Sequence, residues 1–138
     1  EDRVAAMLAG GFQSITWANL EPALDDYFVV NYFGQADYEG TGTAGVPGHI
    51  PGAFQFTPYT SMKIGEMLPY LPSDGTPIVV YCWTGQTSSQ VVAALNMLGY
   101  NAKSLSYGSN QLFHSSLLAS KWSAAETHEY ELTDPILP

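Results

Sequence analysis

The chain has 138 residues, enough for one domain that buries about two-thirds of its unfolded surface. Four Lys and Arg residues against 13 Asp and Glu give a net charge of −9, which argues against a basic patch for nucleic acid or anionic membranes. No apolar run is long enough to span a bilayer, and the single cysteine excludes an internal disulfide. The three histidines lack ligand spacing, so we expect no metal site.

The first elements of the chain are short. Residues 1–14 hold an apolar run closed by two glycines, which predicts a short helix on the outside of the domain. Residues 15–20 are typical of a helix start with Thr16 as the N-cap. Pro22 leaves two alternatives, a separate first turn or a helix that begins near Glu21.

The middle of the chain alternates between predicted strands and helices. We predict buried strands over residues 27–31 and 53–56, and a helix over residues 61–71 that ends at Pro72. Residues 39–47 lengthen a glycine- and threonine-rich loop. This extra length is either a surface insertion without a role or a flap beside the functional site.

The same alternation continues to the C-terminal part. Residues 78–81 form a short β-branched run that predicts a buried strand, and residues 88–98 carry apolar side chains at helical spacing until Gly99 ends the helix. A parallel strand over 102–106 and a helix over 111–120 follow. The pattern predicts a single α/β domain with a mostly parallel central sheet and helices on both faces.

The only cysteine, Cys82, lies where the predicted strand 78–81 ends and the next helix is about to begin. Backbone N–H groups of such a loop point inward, and the helix N-terminus adds a partial positive charge. Because this environment stabilises a thiolate, we interpret Cys82 as a reactive thiol. The alternative is a small buried residue that simply ends the strand.

Two motifs resemble the rhodanese-like domains. In that family a strand is followed by Cys-x-x-Gly-x-Arg and then by a helix ending in Leu-x-x-x-Gly-Tyr or Phe. The chain has Cys82, Gly85 and Leu95-Asn96-Met97-Leu98-Gly99-Tyr100 in matching places, and upstream it has the family's typical hexapeptide, Gly48-His49-Ile50-Pro51-Gly52-Ala53. The resemblance extends over residues 15–117 and implies a rhodanese-like fold.

The resemblance implies a sulfurtransferase without a cofactor, which takes sulfane sulfur onto Cys82 as a persulfide and passes it to a thiol or another nucleophile. Its partners would be a small sulfur-containing donor, or a protein persulfide, and a thiol acceptor. Backbone N–H groups of the loop would hold the persulfide. Helix capping explains Thr87 and Ser88 as well as a role as hydroxyl donors does. The loop residues expected to bind substrate are Trp83, Thr84, Gly85, Gln86, Thr87 and Ser88.

Departures from the family pattern remove positive charge. Thr87 stands in place of the loop arginine, and Asn31 and Phe33 replace an upstream aspartate and arginine where we expect a wall of the pocket. We therefore expect weak binding of a doubly charged anion, so thiosulfate would be a poor donor. None of the fixed cations is expected close to the loop; they are Arg3, Lys63, Lys103 and Lys121.

Other function classes remain as alternatives. A cysteine phosphatase needs an arginine six residues after the cysteine, where this chain has Ser88. A non-enzymatic binding domain commonly lacks the cysteine that is kept here, whereas a redox sensor would oxidise Cys82 reversibly without turning over a thiol acceptor. His49 is predicted to belong to a structural turn and not to act as a catalytic base.

We divide the chain into an N-terminal extension (1–14), a rhodanese-like domain (15–121) and a C-terminal extension packed on the domain (122–138). Within the last segment, residues 129–132 are a candidate edge strand. Few lysines and many Thr, Ser, Tyr and Gly residues are compatible with an exported protein. The first residue is Glu, from which we expect a processed or shortened chain.

Overall fold

A computed structural model describes residues 2–123. Five parallel strands form one sheet in the order β1-β5-β4-β2-β3. The strands are β1 (Ser14–Ile15), β2 (Phe28–Asn31), β3 (Phe54–Gln55), β4 (Ile78–Tyr81) and β5 (Ala102–Leu105). The α-helices are α1 (Asp2–Gly10), α2 (Trp17–Leu20), α3 (Gln35–Tyr38), α4 (Gln86–Leu98) and α5 (Ser109–Phe113), and 3₁₀ helices cover Glu21–Asp26 and Leu68–Tyr70.

Strand β4 lies at the centre of the sheet and separates two cores. All four of its residues are 0 % exposed, as expected for a β-branched run covered on both faces. Because side chains alternate along a strand, Val79 and Tyr81 pack in one core cluster, and Ile78 and Val80 pack in the other. Helices α2 and α5 cover the first cluster, and α4 covers the second. The predicted α/β architecture with a parallel sheet and helices on both faces is confirmed.

The helix predicted over residues 61–71 is wrong. This segment is a series of turns that ends in the 3₁₀ helix Leu68–Tyr70. Gly65 has a φ of +90°, a left-handed conformation that interrupts a right-handed helix. Ile64, which the helical spacing places in the core, is 93 % exposed. The apolar spacing was therefore misleading because the backbone turns at the glycine.

The start of the domain contains a strand that the sequence pattern did not indicate. Ile15 of β1 pairs with Leu105 of β5, although β1 has only two residues. Thr16 is the N-cap of α2 by position, but its side chain makes no capping hydrogen bond. Pro22 lies in the first turn of the 3₁₀ helix that follows α2, so the alternative of a separate first turn is the one observed.

The extra loop at residues 39–47 is packed onto the domain. Val46 is 4 % exposed and belongs to the first core cluster. The Leu118 N–H donates to the Ala44 carbonyl at 2.9 Å, which attaches the loop to the chain after α5. Helix α5 is shorter than the predicted helix over 111–120, and the candidate strand at 129–132 lies outside the described residues.

Helix α1 attaches to the outside of the domain, and none of its residues is buried. The Arg3 guanidinium donates to the Leu98 carbonyl at the end of α4, with Nη1 and O 2.6 Å apart. No helix within residues 2–123 has the length and apolar character needed to cross a membrane.

Candidate active site

Cys82 directly follows β4 at the carboxyl end of the sheet, and only 2 % of its surface is exposed. The Ser88 backbone N–H donates to Cys82 Sγ at 3.3 Å, and the thiol donates to Ser88 Oγ at 3.4 Å. Since α4 begins at Gln86, the Ser88 N–H is one of the N–H groups at the helix start that have no partner within the helix. It directs the partial positive charge of the helix terminus at the sulfur.

The Ser88 side chain connects the sulfur to the sheet. Ser88 is 0 % exposed, and its hydroxyl donates to the Gly85 carbonyl at 3.1 Å. The same oxygen lies 2.8 Å from Ser104 Oγ on β5. The N-cap of α4 is Gly85, so Ser88 does not cap the helix. Its hydroxyl oxygen instead accepts a hydrogen bond from Cys82 Sγ. The role that remains for Ser88 is therefore a polar contact with the sulfur.

Two glycines allow the turn after β5 to approach the cysteine loop. Gly85 has a φ of +89°, and a Cβ at this position would lie 3.2 Å from the Tyr107 nitrogen. Gly108 has a φ of +52°, and a Cβ there would collide with the Cys82 carbonyl oxygen. The next residue, Ser109, donates its N–H to that carbonyl at 2.9 Å. The backbone of Cys82 is therefore fixed from both β4 and the turn that precedes α5.

A cavity of about 440 Å³ opens beside Cys82. The indole of Trp83 forms part of its wall and stacks on Phe33, with ring centroids 4.3 Å apart. The loop contributes hydroxyl and amide groups to the same wall. The lining residues are Cys82, Trp83, Thr84, Gln86 and Thr87 from the loop, and Ser120, Lys121 and Trp122 from the chain after α5.

The second half of this lining was missed by sequence reasoning. Residues 120–122, which we call the strap, are held in place by Asn110 of α5. Its side-chain amide donates to the Ser120 carbonyl at 2.9 Å and accepts from the Trp122 N–H at 2.7 Å. The same amide donates to the Trp83 carbonyl at 2.8 Å, and His114 Nε2 lies 2.7 Å from the Trp122 carbonyl. Asn110 thus joins the strap to the cysteine loop.

The expectation that no fixed cation lies near the loop is wrong for Lys121. This residue lines the same cavity as Cys82. Its place depends on tertiary hydrogen bonds between α5 and the strap, and nothing in the sequence around position 121 indicates them. The burial of Asn110, which anchors the segment after α5, is visible only in the structure.

Asn31 and Phe33, predicted to be a wall of the pocket, lie behind the cavity surface and are both 0 % exposed. Asn31 Nδ2 donates to the Tyr81 hydroxyl at 2.7 Å, and Asn31 Oδ1 accepts from the Phe33 N–H at 3.1 Å. The Ile50 N–H also donates to the Tyr81 hydroxyl, at 3.1 Å. Burial raises the pKa of Tyr81, although the hydrogen bonds that its hydroxyl receives from Asn31 and Ile50 act in the opposite direction. Asn31 and Phe33 support the loop from below.

The histidine of the hexapeptide lies away from the cavity lining. His49 is exposed, its ring stacks on Tyr38 with centroids 3.7 Å apart, and its Nδ1 lies 2.8 Å from the Tyr38 carbonyl. These contacts fit a structural turn. Within residues 2–123, the His, Cys, Asp and Glu side chains form no group of three that could hold a metal ion.

Comparisons with known proteins agree with this architecture. The model of the rhodanese-like domain family matches residues 32–114, and no curated protein gives a significant match. A rhodanese-related protein from Thermoplasma volcanium is 23 % identical with a TM-score of 0.58, over 70 % of this chain and 86 % of that one. The SSP1007 protein from Staphylococcus saprophyticus is 24 % identical with a TM-score of 0.59, over 76 % and 97 %. Reduced CoADR-RHD from Bacillus anthracis is 15 % identical with a TM-score of 0.61, over 79 % and 18 %.

Proposed function

The chain belongs to the rhodanese-like domain family, and we propose that it is a sulfurtransferase that carries sulfane sulfur as a persulfide on Cys82. The observation that carries this proposal is the 3.3 Å contact between the Ser88 N–H and Cys82 Sγ beside an open cavity. A helix-terminal N–H favours a negatively charged sulfur, and the thiolate is the nucleophilic form of cysteine. The same N–H favours the anionic persulfide after transfer.

The reaction has two displacement steps. The Cys82 thiolate attacks the outer sulfur of a donor R–S–SH, a new S–S bond forms to Cys82, and the old S–S bond breaks with the electron pair leaving on R–S⁻. An acceptor thiolate R′–S⁻ then attacks the outer sulfur of the Cys82 persulfide and forms R′–S–SH. The Cys82 thiolate leaves and is regenerated, so no external oxidant or reductant is needed.

The charge of the cavity favours donors other than thiosulfate. Lys121 is the single fixed cation among the residues that line the cavity, and the protein has a net charge of −9. Thiosulfate carries two negative charges, and an unfavourable overall field opposes its approach. The persulfide of a small thiol and the persulfide of a partner protein carry less charge than thiosulfate and are favoured for that reason. Polysulfide is also an anion, but it has no sulfonate group for which an arginine at position 87 would be needed, so it remains a favoured donor.

Intact-mass spectrometry tests the function. Wild type and Cys82→Ser are each incubated with thiosulfate, mercaptopyruvate or polysulfide. We expect the wild type alone to gain one sulfur atom, and cyanide or a small thiol to remove it. Polysulfide should load the protein fastest and thiosulfate slowest. Thiosulfate loading as fast as polysulfide loading would contradict the donor preference.

The same measurement separates the alternatives. If no donor adds sulfur although an alkylating reagent modifies Cys82, the sulfurtransferase proposal fails. A binding or redox-sensing domain then remains. A sensor would form a sulfenic acid with peroxide and would show no turnover with an acceptor thiol.

A further inference from the structure

We propose that Lys121 determines donor specificity by binding a carboxylate of a small organic persulfide while Cys82 takes its outer sulfur. This proposal rests on the sulfurtransferase function proposed above and names the class of donor. It starts from the observation that Lys121 and Cys82 line one cavity although they are remote in sequence.

The other fixed cations have different surroundings. Arg3 donates to the end of α4, and the Lys103 ammonium lies 5.8 Å from the centre of the Tyr27 ring. Lys63 is exposed in the turns before the 3₁₀ helix Leu68–Tyr70. Of the four Lys and Arg residues, Lys121 alone lines the cavity beside Cys82. Lys121 is therefore the one residue of the cavity lining that could offer an ammonium group to an anion.

Hydrogen bonds to the Asn110 side chain fix the backbone of the strap on both sides of Lys121. Ser120 and Trp122 are both hydrogen bonded to the Asn110 side chain, which is 8 % exposed. Because Asn110 also bonds to the carbonyl of Trp83, the strap and the cysteine loop share one anchor. A lysine on such a segment loses less conformational entropy on binding an anion than one on an unanchored chain.

The size and walls of the cavity favour an organic donor. Its volume of about 440 Å³ is within the range of pockets that bind small organic molecules, and an inorganic oxyanion would fill only a small part of it. Trp83 and Trp122 provide apolar ring surface, while Thr84 and Gln86 provide hydrogen-bonding groups. One ammonium group pairs with one carboxylate. The fitting ligand is thus a small carboxylated thiol persulfide.

The experiment uses two persulfide donors that differ in one remote group. The persulfide of 3-mercaptopropionate carries a carboxylate, and the persulfide of 2-mercaptoethanol carries a hydroxyl in a similar position. The rate of sulfur gain on Cys82 is measured by intact mass for wild type, Lys121→Met and Lys121→Arg. Lys63→Met is the matched control because it removes the same charge from a surface outside the cavity.

We expect Lys121→Met to slow transfer from the carboxylated donor about tenfold, because one hydrogen-bonded charge pair is lost. Transfer from the hydroxyl donor should change little. Lys121→Arg keeps the positive charge, so it should retain most of the wild-type rate, and Lys63→Met should behave like wild type. The difference between the two donors should decrease at high salt, since ions screen a partly exposed pair.

Four outcomes would overturn the proposal. Equal slowing with both donors would show that Lys121→Met disturbs the strap and not a carboxylate contact. If Lys121→Met and Lys63→Met reduce the preference for the carboxylated donor equally, the effect is one of net charge and not of the cavity. If the wild type gains no sulfur from either donor or from polysulfide, the sulfurtransferase function itself is overturned. If the wild type gains sulfur equally fast from both donors, the role of Lys121 alone is overturned.

Discussion

The buried hydroxyl pair of Ser88 and Ser104 supports the sulfur of Cys82, and its contribution to stability can be measured with a double-mutant cycle. Ser88 is 0 % exposed and Ser104 is 2 % exposed, and their hydroxyl oxygens lie 2.8 Å apart. Ser88→Ala leaves the Ser104 hydroxyl buried without this partner and removes the bond to the Gly85 carbonyl. A stranded buried polar group costs about 1–3 kcal/mol, so we expect a loss of about 2 kcal/mol in unfolding free energy.

The partner substitution should cost less. In Ser104→Ala the Ser88 hydroxyl keeps the Gly85 carbonyl as an acceptor, so we expect a loss of about 1 kcal/mol. The double variant strands no hydroxyl and should lose about 2 kcal/mol, which gives a coupling energy near 1 kcal/mol. Urea unfolding followed by tryptophan fluorescence measures all four free energies. Ser89→Ala, a partly exposed position on the same helix, is the matched control.

The cycle has a clear negative result. Purely additive losses, with a coupling energy below about 0.3 kcal/mol, would show that the two hydroxyls do not share a hydrogen bond in solution. Persulfide formation on Cys82 provides a second measurement. Ser88→Ala keeps the backbone N–H that contacts the sulfur, so sulfur gain should persist, and its complete loss would refute the role assigned to that N–H.

Two further predictions concern the backbone and the core around the cysteine. Gly108→Ala should lower the unfolding free energy by more than about 2 kcal/mol and slow sulfur gain on Cys82, because the new Cβ would collide with the Cys82 carbonyl. The control is Gly75→Ala, which has a positive φ but open space around the new Cβ. It should cost only about 1 kcal/mol in the same urea assay. Tyr81→Phe leaves the Asn31 amide without its acceptor and should cost about 2 kcal/mol. The raised pKa of Tyr81 means that the folded state keeps this proton more tightly than the unfolded state, so its contribution is complete below pH 10.0 and is lost as the pH rises through the folded-state pKa. Unfolding measured from pH 8 to pH 11 should therefore show a smaller alkaline loss in Tyr81→Phe than in wild type.

The elements nearest to the cysteine could be predicted from the sequence because local and tertiary preferences agree there. The strand at 78–81 has the predicted bounds, and α4 ends at Leu98 with Gly99 as the residue that stops it, as predicted. The start of α4 is two residues earlier than the predicted 88, because Gly85 in a left-handed conformation already serves as the N-cap. The helix predicted over 61–71 was wrong for a related reason, because apolar spacing carries no information about the left-handed backbone at Gly65.

The cation of the candidate site could not be predicted, because no local pattern controls its position. Lys121 lies at the cavity because the Asn110 side chain binds the chain on both sides of it and His114 contacts the Trp122 carbonyl. Such side chain to backbone bonds join residues of α5 to the strap, and a search for a familiar arginine spacing does not detect them. Sequence comparison finds the cysteine loop, whereas the second half of the cavity requires the structure.

The same geometry explains why a positive charge cannot simply be restored at position 33. Phe33 is 0 % exposed, stacks on Trp83 and packs edge-on against Tyr81 with ring centroids 5.5 Å apart. An arginine there would be buried beside Asn31, whose amide nitrogen already donates to Tyr81 and whose amide oxygen accepts from the backbone at position 33. An unpaired buried charge costs several kcal/mol, so Phe33→Arg should destabilise the fold more than it assists anion binding. A cation beside Cys82 is therefore better placed at a position that lines the cavity, as Lys121 does.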